Sequence, residues 1–291
     1  MNVGLLGLGY WGSIILKTLD SFDGCNVKIY DPHQSKEFEK DRRVDDYSDL
    51  LACDYIVIAS PSNSHYNLCK FFLEKGKHIF CEKPLTNDKF STIDLYNIAD
   101  SNGCKLFVDW IFTYNPNITH LKNIYNKGQL GRIKSVSMNR LNKGPSRYDC
   151  SAKWDLSSHD VSILQFLFEE KPRSVKWLDL KRNQDSKFPD SSLGVLVYPS
   201  FFAHINSSWE YPKKDRRCVF EFEKDVIVWD DTKQKMTGEL IDYSVKDNAD
   251  SPLKKSLSTF FDLNFTNQKY LTIDTTEILN NGENFISYEW Q

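Results

Sequence analysis

Two short clusters of reactive side chains stand out in this 291-residue sequence. Lys83 lies between Glu82 and Pro84 directly after an apolar run, and the proline restricts the lysine backbone to an extended conformation. Asp155 and His159 lie four positions apart, so they share one face of a helix that includes both. An ammonium group can stabilise a developing alkoxide, and a carboxylate beside an imidazole supports a proton shuttle.

Both clusters also have an interpretation that involves no chemistry. Lys83 could be a surface lysine paired with Glu82. Asp155 could be only the N-cap of a helix, and His159 could be a half-buried residue packed above Ile163. Neither cluster by itself therefore establishes a catalytic site.

A glycine-rich turn near the start of the sequence could position a cofactor for these side chains. Apolar residues 3–6 predict a buried strand, and Gly7, Gly9 and Gly12 follow before an apolar helical segment. The first glycine permits a tight bend, the second has no Cβ to obstruct a pyrophosphate, and the third lets the helix pack closely. The free N–H groups at the helix N-terminus would face the phosphates. A glycine-rich corner without a ligand is the alternative.

An acidic residue follows the second predicted strand at the spacing that a dinucleotide site requires. Asp31 ends the apolar run 27–30 and lies 19 positions after Gly12. This is close to the spacing of about 20 residues at which a carboxylate holds the adenosine ribose. A carboxylate suits a free 2′-hydroxyl and repels a 2′-phosphate, so Asp31 favours NAD over NADP. A turn cap before Pro32 is the alternative role.

The order of the predicted elements indicates two domains. Strands alternate with helices up to about residue 115, which predicts a doubly wound parallel sheet. Longer alternating strands follow, with one amphipathic helix over about 156–168 and a late helix over 252–262, which predicts an α+β domain with a mostly antiparallel sheet. We therefore expect a dinucleotide-binding Rossmann domain over residues 1–115 and a substrate-binding α+β domain over 116–291.

Ligands of open parallel sheets bind at the carboxyl ends of the strands, which defines the expected cofactor contacts. One of the expected contacts, His65, has an alternative role as a capping or packing residue, because it lies at the start of a predicted helix. The expected cofactor-binding residues are Gly7, Gly9, Tyr10, Trp11, Gly12, Asp31, Ser60, Pro61, Asn63, His65, Glu82 and Lys83.

Composition and charge narrow the class of protein. Hydrophobic residues make up 40% of the chain, enough for a sizeable core, and the formal charge of −3 argues against a general nucleic-acid partner. No apolar run approaches the roughly 18 residues of a membrane span, and no N-terminal targeting segment is expected. Seven cysteines without a CxxC pair predict reduced thiols and a cytoplasmic location. No metal-ligand spacing is present, so no metal is expected.

A basic tract precedes the predicted Asp155–His159 helix. Residues 116–148 contain seven Lys or Arg and no Asp or Glu, which suggests an anionic ligand. Arg140 and Asn142 share one face of a predicted strand, and Arg147 follows in a loop. Together with Lys143, the two arginines could hold a diphosphate. A solvated basic surface is the alternative.

Taken together, these motifs resemble the Gfo/Idh/MocA family, which is named for glucose–fructose oxidoreductase and inositol dehydrogenase. The matching segments are residues 7–12, residues 59–65, residues 76–85 and the pair Asp155 and His159. The resemblance runs from residue 3 to about residue 170. It implies a nicotinamide-binding Rossmann domain, an open-faced antiparallel sheet, and a site in which Lys83, Asp155 and His159 surround a sugar-like carbinol carbon.

The function implied by the resemblance is an NAD-dependent oxidoreductase that transfers a hydride between the cofactor and a sugar carbon. Similar segments in members that act on nucleotide-linked sugars favour such a substrate over a free sugar or inositol. A dinucleotide-binding regulator without turnover and an aldehyde or imine reductase are the alternatives. Sheet faces in this family usually pair, so a homodimer or homotetramer is expected. The candidate substrate contacts are Tyr114, Arg140, Asn142, Arg147 and Trp154.

Two segments depart from the commonest family pattern. Asp109 stands where many members carry a basic or neutral polar residue, and it is a possible extra acid. Residues 275–280 leave little room for the usual final helix, so the sequence gives no support for a contact from the tail.

Overall fold

The structure is a computed structural model that describes residues 1–33, 39–144, 147–244, 250–263, 265, 268–281 and 283–284. Pro145 and Ser146, in the predicted loop after Gly144, lie outside the described residues. The strands are β1 (Asn2–Leu6), β2 (Asn26–Tyr30), β3 (Tyr55–Ile58), β4 (His78–Cys81), β5 (Leu106–Val108), β6 (Ile133–Lys143), β7 (Ser174–Leu180), β8 (Ser191–Val197), β9 (Phe202–Ser208), β10 (Glu210–Asp215), β11 (Arg217–Phe222), β12 (Val226–Asp230), β13 (Lys235–Thr237), β14 (Asp242–Ser244) and β15 (Glu283–Asn284). The α-helices are α1 (Tyr10–Leu19), α2 (His65–Leu73), α3 (Lys89–Ser101), α4 (Pro116–Asn126), α5 (Ser158–Phe168), α6 (Pro252–Asp262) and α7 (Gln268–Asn280).

The chain forms two compact units. The first contains Met1–Trp110 together with Leu253–Ile273, and the second contains Ile111–Pro252 and the described residues from Asp274 onward. The return of Leu253–Ile273 to the first unit differs from a single boundary after residue 115. The assignment of one unit to the cofactor and the other to the substrate stays a prediction.

The first unit is built on a parallel sheet, as predicted. Its strand order is β2-β1-β3-β4-β5, and every pair of neighbours is parallel. Apolar side chains such as Leu5, Ile56 and Ile79 are fully buried because helices cover both faces of a sheet of this type. Helix α6 packs on this sheet through Phe260, whose ring meets Phe80 edge-on at 5.7 Å.

The second unit is built on a larger sheet in the order β14-β13-β12-β11-β6-β9-β8-β7-β15, with β10 beside β6. Most neighbours are antiparallel, while β6–β9 and β7–β15 are parallel. Inward-facing residues such as Val136, Phe220 and Trp229 are fully buried with α4 and α5 residues. The other face exposes Val195 and Phe202, at 41% and 50%, as an open-faced sheet requires. The predicted fold class is therefore confirmed.

Several elements differ from the expectation. The predicted helix 156–168 begins as a π-helical turn, Lys153–Ser157, and continues as α5. Helix α4 begins at Pro116, because the Asn115 side chain caps its N-terminus and proline is well suited to the first helical position. The sequence left little room for a final helix at residues 275–280, but these residues form the end of α7.

Short polar strands were missed because they lack the apolar alternation on which the prediction depends. Most residues of strand β10 are exposed, and strands β13 and β14 have only three residues each. Among the described residues, no helix is both long and apolar enough to cross a bilayer. Within the same part of the chain, no group of three or more His, Cys, Asp or Glu could hold a metal ion.

Candidate active site

The glycine turn has the geometry of a phosphate-binding corner. Gly7 has a φ of +91°, and a Cβ there would lie 2.7 Å from the Ala59 carbonyl oxygen. A Cβ at Gly12 would lie 2.1 Å from the Gly7 carbonyl oxygen, so helix and strand meet too closely for any side chain. A Cβ at Gly9 would meet no atom of the described residues within 4 Å. The turn therefore leaves open space beside Gly9, at the N-terminus of α1, and the first turn of that helix contains no acidic residue.

Alanine substitutions at these two glycines are expected to separate folding from cofactor binding. Gly12→Ala should lower thermal stability, because the new methyl group overlaps the backbone and overpacking costs about 1–3 kcal/mol. Gly9→Ala should leave the melting temperature unchanged and weaken NAD binding at least tenfold, because its methyl group enters only the open space. Calorimetric melting and NAD titration of both variants provide the measurements. Unimpaired NAD binding by Gly9→Ala would contradict a phosphate position at this turn.

Asp31 is buried at the end of β2 and supports the turn directly. Its Oδ2 accepts a hydrogen bond from the Leu8 backbone N–H at 2.6 Å, and its Oδ1 accepts one from the His33 N–H at 2.8 Å. The alternative role as a turn cap is thus present in the structure. Each carboxylate oxygen can accept more than one hydrogen bond, so the cap is compatible with the ribose contact that stays predicted.

The residues after β3 fall into two groups. Pro61 and Asn63 are exposed at the carboxyl end of the strand, where a cofactor contact was predicted. His65 is 1% exposed, and its Nδ1 and Nε2 lie 2.8 Å from the carbonyl oxygens of Pro84 and Ser60. His65 therefore ties two loops together, and the packing interpretation describes its position better than a cofactor contact does.

Glu82 and Lys83 follow β4 and are half-buried. The Glu82 carboxyl group accepts a hydrogen bond from the indole N–H of Trp11 and also contacts the carboxyl group of Asp109. Trp11 was expected to contact the cofactor, and here it connects the glycine turn to the segment that contains Lys83. Tyr10, the neighbour of Trp11, is 86% exposed at the first position of α1.

In the second unit, Asp155 and His159 lie on one continuous helical run and are both half-buried. The Trp209 indole N–H donates to Asp155 Oδ2 at 3.2 Å, so the carboxylate is held from the sheet side. The His159 ring meets the Phe112 ring edge-on, with 4.9 Å between centroids. Both side chains are thus positioned by aromatic neighbours that the sequence pattern did not indicate.

The predicted anion contacts of two arginines are largely occupied by carboxylates of the same unit. Arg140 is 2% exposed and donates from Nε and Nη2 to Asp160 Oδ1 at 3.1 and 2.7 Å. Its guanidinium carbon lies 4.4 Å from the centre of the Phe112 ring. Arg147 donates a bidentate pair to Asp149 and lies 3.6 Å from Asp155.

Other members of the basic tract are also paired with acidic residues. Lys122 lies 2.6 Å from Glu169, and Arg132 lies 2.8 Å from Glu223. These acids lie outside residues 116–148, so their effect on the tract could not be seen from its own sequence. The tract is therefore not an uncompensated basic patch.

The remaining predicted substrate contacts are partly exposed. Tyr114 ends a short 3-10 turn, Ile111–Tyr114, and Trp154 packs against the core of the second unit. Asn142 Oδ1 accepts a hydrogen bond from Arg216 Nη2 at 3.3 Å. Arg216 was missed by the sequence analysis, because it lies 74 positions from Asn142, at the junction of β10 and β11.

The Arg140–Asp160 pair is expected to contribute strongly to stability. Burial raises the pKa of Asp160 and Arg140 opposes that rise, so removal of one partner leaves a buried, uncompensated group. Asp160→Leu should lower the free energy of unfolding by about 3–5 kcal/mol, whereas the double variant Arg140→Met with Asp160→Leu should recover most of that loss. Urea denaturation monitored by tryptophan fluorescence measures both. Additive losses in the double variant would contradict this account.

Comparison with known protein families assigns the chain to one family. Residues 1–110 match the GFO_IDH_MocA family, an oxidoreductase family with an NAD-binding Rossmann fold, and residues 118–228 match the GFO/IDH/MocA C-terminal domain. The two matches together cover more than half of the 291 residues, so the chain belongs to the GFO/IDH/MocA oxidoreductase family. The predicted family, and NAD as the cofactor of that family, are confirmed.

Individual relatives resemble only part of the chain in sequence. An inositol 2-dehydrogenase from Rhodococcus erythropolis is 27% identical over 190 residues, which are 60% of this chain and 55% of that protein. A 2,7-anhydro-N-acetylneuraminate hydratase from Escherichia coli is 22% identical over 234 residues, which are 69% of this chain and 62% of that protein. The chain thus spans little more than half the length of the curated relatives it matches.

Solved structures share the fold over nearly the whole chain. The UDP-N-acetylglucosamine 3-dehydrogenase from Acidithiobacillus ferrooxidans superposes with a TM-score of 0.83 at 17% identity and covers 96% of this chain and 95% of its own. The myo-inositol dehydrogenase homologue from Sinorhizobium meliloti superposes with a TM-score of 0.79, also at 17% identity, and covers 97% of this chain and 96% of its own. At this level of identity the likeness concerns the fold alone.

Proposed function

We propose that this protein is an NAD-dependent oxidoreductase that transfers a hydride between the nicotinamide ring and a carbinol or keto carbon of a sugar or cyclitol. The observation that carries the proposal is the glycine turn with open space at Gly9, in a chain that retains Lys83, Asp155 and His159 as half-buried polar side chains. A regulator that only binds the dinucleotide would not need all three.

The residues of the first unit fit the cofactor. Open space at Gly9 and the N-terminus of α1 suit a pyrophosphate, and the Asp31 carboxylate suits the hydroxyls of an adenosine ribose. When bound, the nicotinamide supplies the hydride acceptor in oxidation and the hydride donor in reduction. The protein residues bind and orient it and manage the proton that accompanies the hydride.

Proton transfer is assigned to the second unit. His159 takes the hydroxyl proton of the substrate in oxidation and returns it in reduction. Asp155 orients the imidazole, and its own position is fixed by the Trp209 indole N–H. Lys83 donates a hydrogen bond to the same substrate oxygen and stabilises the negative charge that develops there.

A free sugar or cyclitol, which carries no diphosphate, is better supported as the substrate than a nucleotide-linked sugar. Arg140 and Arg147, the arginines expected to hold a diphosphate, are engaged by Asp160 and Asp149. The inositol 2-dehydrogenase relative points in the same direction. We therefore favour a free sugar or cyclitol over the nucleotide-linked sugar that the basic tract first suggested.

A nucleotide-linked sugar is the second candidate, and one observation favours it. The Arg216 guanidinium is half-buried beside Asn142, and its Nε has no hydrogen-bond partner among the described residues. A phosphate or carboxylate oxygen would satisfy that donor.

The experiment that tests the function is a substrate panel monitored by NADH absorbance. We expect NAD reduction with at least one free polyol such as myo-inositol, and no reduction with UDP-linked sugars at equal concentration. Turnover only with UDP-linked sugars, together with its loss in Arg216→Gln, would establish the second candidate instead. NAD binding with no turnover of any polyol, sugar or nucleotide-linked sugar would contradict the enzymatic proposal.

A further inference from the structure

A series of polar contacts crosses the edge of the first sheet at which its strands have their carboxyl ends. The function proposed above does not use these contacts. The series begins at Trp11 in the glycine turn, whose indole N–H donates to the Glu82 carboxyl group after β4. Glu82 contacts the carboxyl group of Asp109, which follows β5. Asp109 Oδ1 accepts a hydrogen bond from Ser256 Oγ of α6 at 2.6 Å. This series of contacts thus connects the glycine turn, the segment that contains Lys83 and helix α6.

The central contact of this series brings the carboxyl groups of Glu82 and Asp109 together. Asp109 is 1% exposed, and its buried Oδ2 receives no hydrogen bond from a donor group among the described residues. Two ionised carboxylates in contact repel each other, and burial disfavours both charges. A proton held between Glu82 and Asp109 removes the repulsion and gives Oδ2 its missing donor.

The directions in which the surroundings shift the pKa values of the two groups agree with a shared proton. Burial raises the pKa of Asp109 to about 7, against the lowering effects of Ser256, Glu82 and the Lys83 charge. Burial and the like charge of Asp109 raise the pKa of Glu82 well above its ordinary value, and Lys83 and Trp11 oppose that rise. Cys81 also faces Glu82, and burial raises the pKa of its thiol, which stays neutral. The pair therefore retains at least one proton at neutral pH.

We propose that Asp109 is a positioning residue for Lys83 and acts through Glu82. The proton shared with Asp109 keeps Glu82 directed toward Asp109 and Trp11, so that its carboxylate does not neutralise the adjacent ammonium group. This inference rests on the proposed role of Lys83 in stabilising an alkoxide. It assigns a role to Asp109, the residue that departs from the common family pattern.

The direction of the pH dependence follows from the pair. Asp109 releases the first proton near pH 7, and the proton that remains is then shared between the two groups. When that second proton is also lost at higher pH, an ionised Glu82 competes with the substrate oxygen for the Lys83 ammonium group. Turnover should decline as this second proton is lost. In Asp109→Asn the amide cannot share a proton, and its N–H₂ group favours an ionised Glu82 at every pH in the range. Already at pH 6, the turnover of the variant should therefore be as low as the turnover that the wild-type protein reaches only in alkali.

The ratio of wild-type to Asp109→Asn turnover is the decisive quantity. We expect about a tenfold ratio at pH 6, the effect of roughly one pKa unit of differential interaction, and a ratio that falls toward 1 once the pair has lost its second proton in alkali. The KM for NAD should be the same in both proteins. A purely structural role of Asp109 would give a ratio that does not change with pH, and such a result would overturn the proposal.

Two further variants keep the test decisive if Asp109→Asn folds poorly. Ser256→Ala removes a hydrogen bond that lowers the pKa of Asp109, so the alkaline decline of turnover should move to higher pH. Thr272→Val is the matched control, because it removes a buried hydroxyl that hydrogen-bonds Trp110 at 2.9 Å and touches neither carboxyl group. An equal shift in Thr272→Val would assign the effect to loosened packing and reject the shared proton.

A measurement without substrate separates this inference from the proposed function. In protein labelled with ¹³C at Asp and Glu carboxyl carbons, wild type should show a resonance that titrates near pH 7 and is absent from Asp109→Asn. The free energy of unfolding should also fall as the pH rises from about 4 to 7, because the folded pair holds protons that the unfolded chain releases. Ordinary acidic titration of every carboxyl group would overturn the proposal even if the enzyme is active. The shared proton would remain demonstrable if no substrate were found.

Discussion

Lys83→Met is expected to lower kcat by about two to three orders of magnitude, the usual effect of removing one preorganised donor from a developing oxyanion. Methionine preserves much of the length and volume of the lysine side chain, so the half-buried position after β4 stays filled. The residues assigned to the pyrophosphate and the ribose are unchanged. The affinity for NAD should therefore change by less than about threefold.

The measurement combines steady-state kinetics with titration of NAD into the free protein. Lys75→Met is the matched control, because Lys75 is exposed just after α2 in the same unit, and its replacement should leave kcat unchanged. Full turnover in Lys83→Met would remove this lysine from the mechanism. A large loss of NAD affinity would instead make it a cofactor-binding residue.

His159→Ala should lower kcat by about 10²–10⁴, the range typical of a lost general acid or base. The side chain projects from the start of α5 against Phe112, and its loss leaves the Arg140–Asp160 ion pair and the Phe112 contact with Arg140 in place. The fold should therefore persist. Because the variant lacks only the group that accepts or donates the proton, a small nitrogen base added to the medium should restore part of the lost activity.

His204→Ala is the control for this prediction, since His204 is half-buried on β9 of the same unit. It should retain wild-type turnover and gain nothing from the added base. The double variant Lys83→Met with His159→Ala tests whether the two groups act on one substrate oxygen. If they do, their effects are not additive, and the double variant is little slower than the slower single variant. Fully additive losses would place the two residues in independent roles.

Much of the fold could be predicted because its signals are local. The strand β1, the glycine turn and helix α1 follow from apolar runs interrupted by glycine, and the structure gives Gly7 and Gly12 the close backbone contacts that exclude side chains. The late helix α6 was predicted from its own periodicity. Its neighbour α7 was missed, because its apolar residues are divided between the two units and do not form one continuous stripe.

The substrate contacts were harder to predict because a side chain's partner is not a local property. Arg140 and Arg147 looked available for an anion within a basic tract, yet Asp160 and Asp149 hold them. Both acids lie only slightly beyond the tract. The sequence contained the charges, but only the burial of Arg140 decided that its guanidinium group is used inside the protein.

The sequence by itself determined the family, the parallel sheet with its cofactor turn, and the residue types that could carry proton and hydride chemistry. These depend on short-range spacing, which the chain fixes before it folds. Only the tertiary structure decided that Glu82 meets Asp109 across neighbouring strands and that Leu253–Ile273 returns to the first unit. Such contacts depend on strand order and helix packing, which join residues distant in sequence and set the charge that each carries.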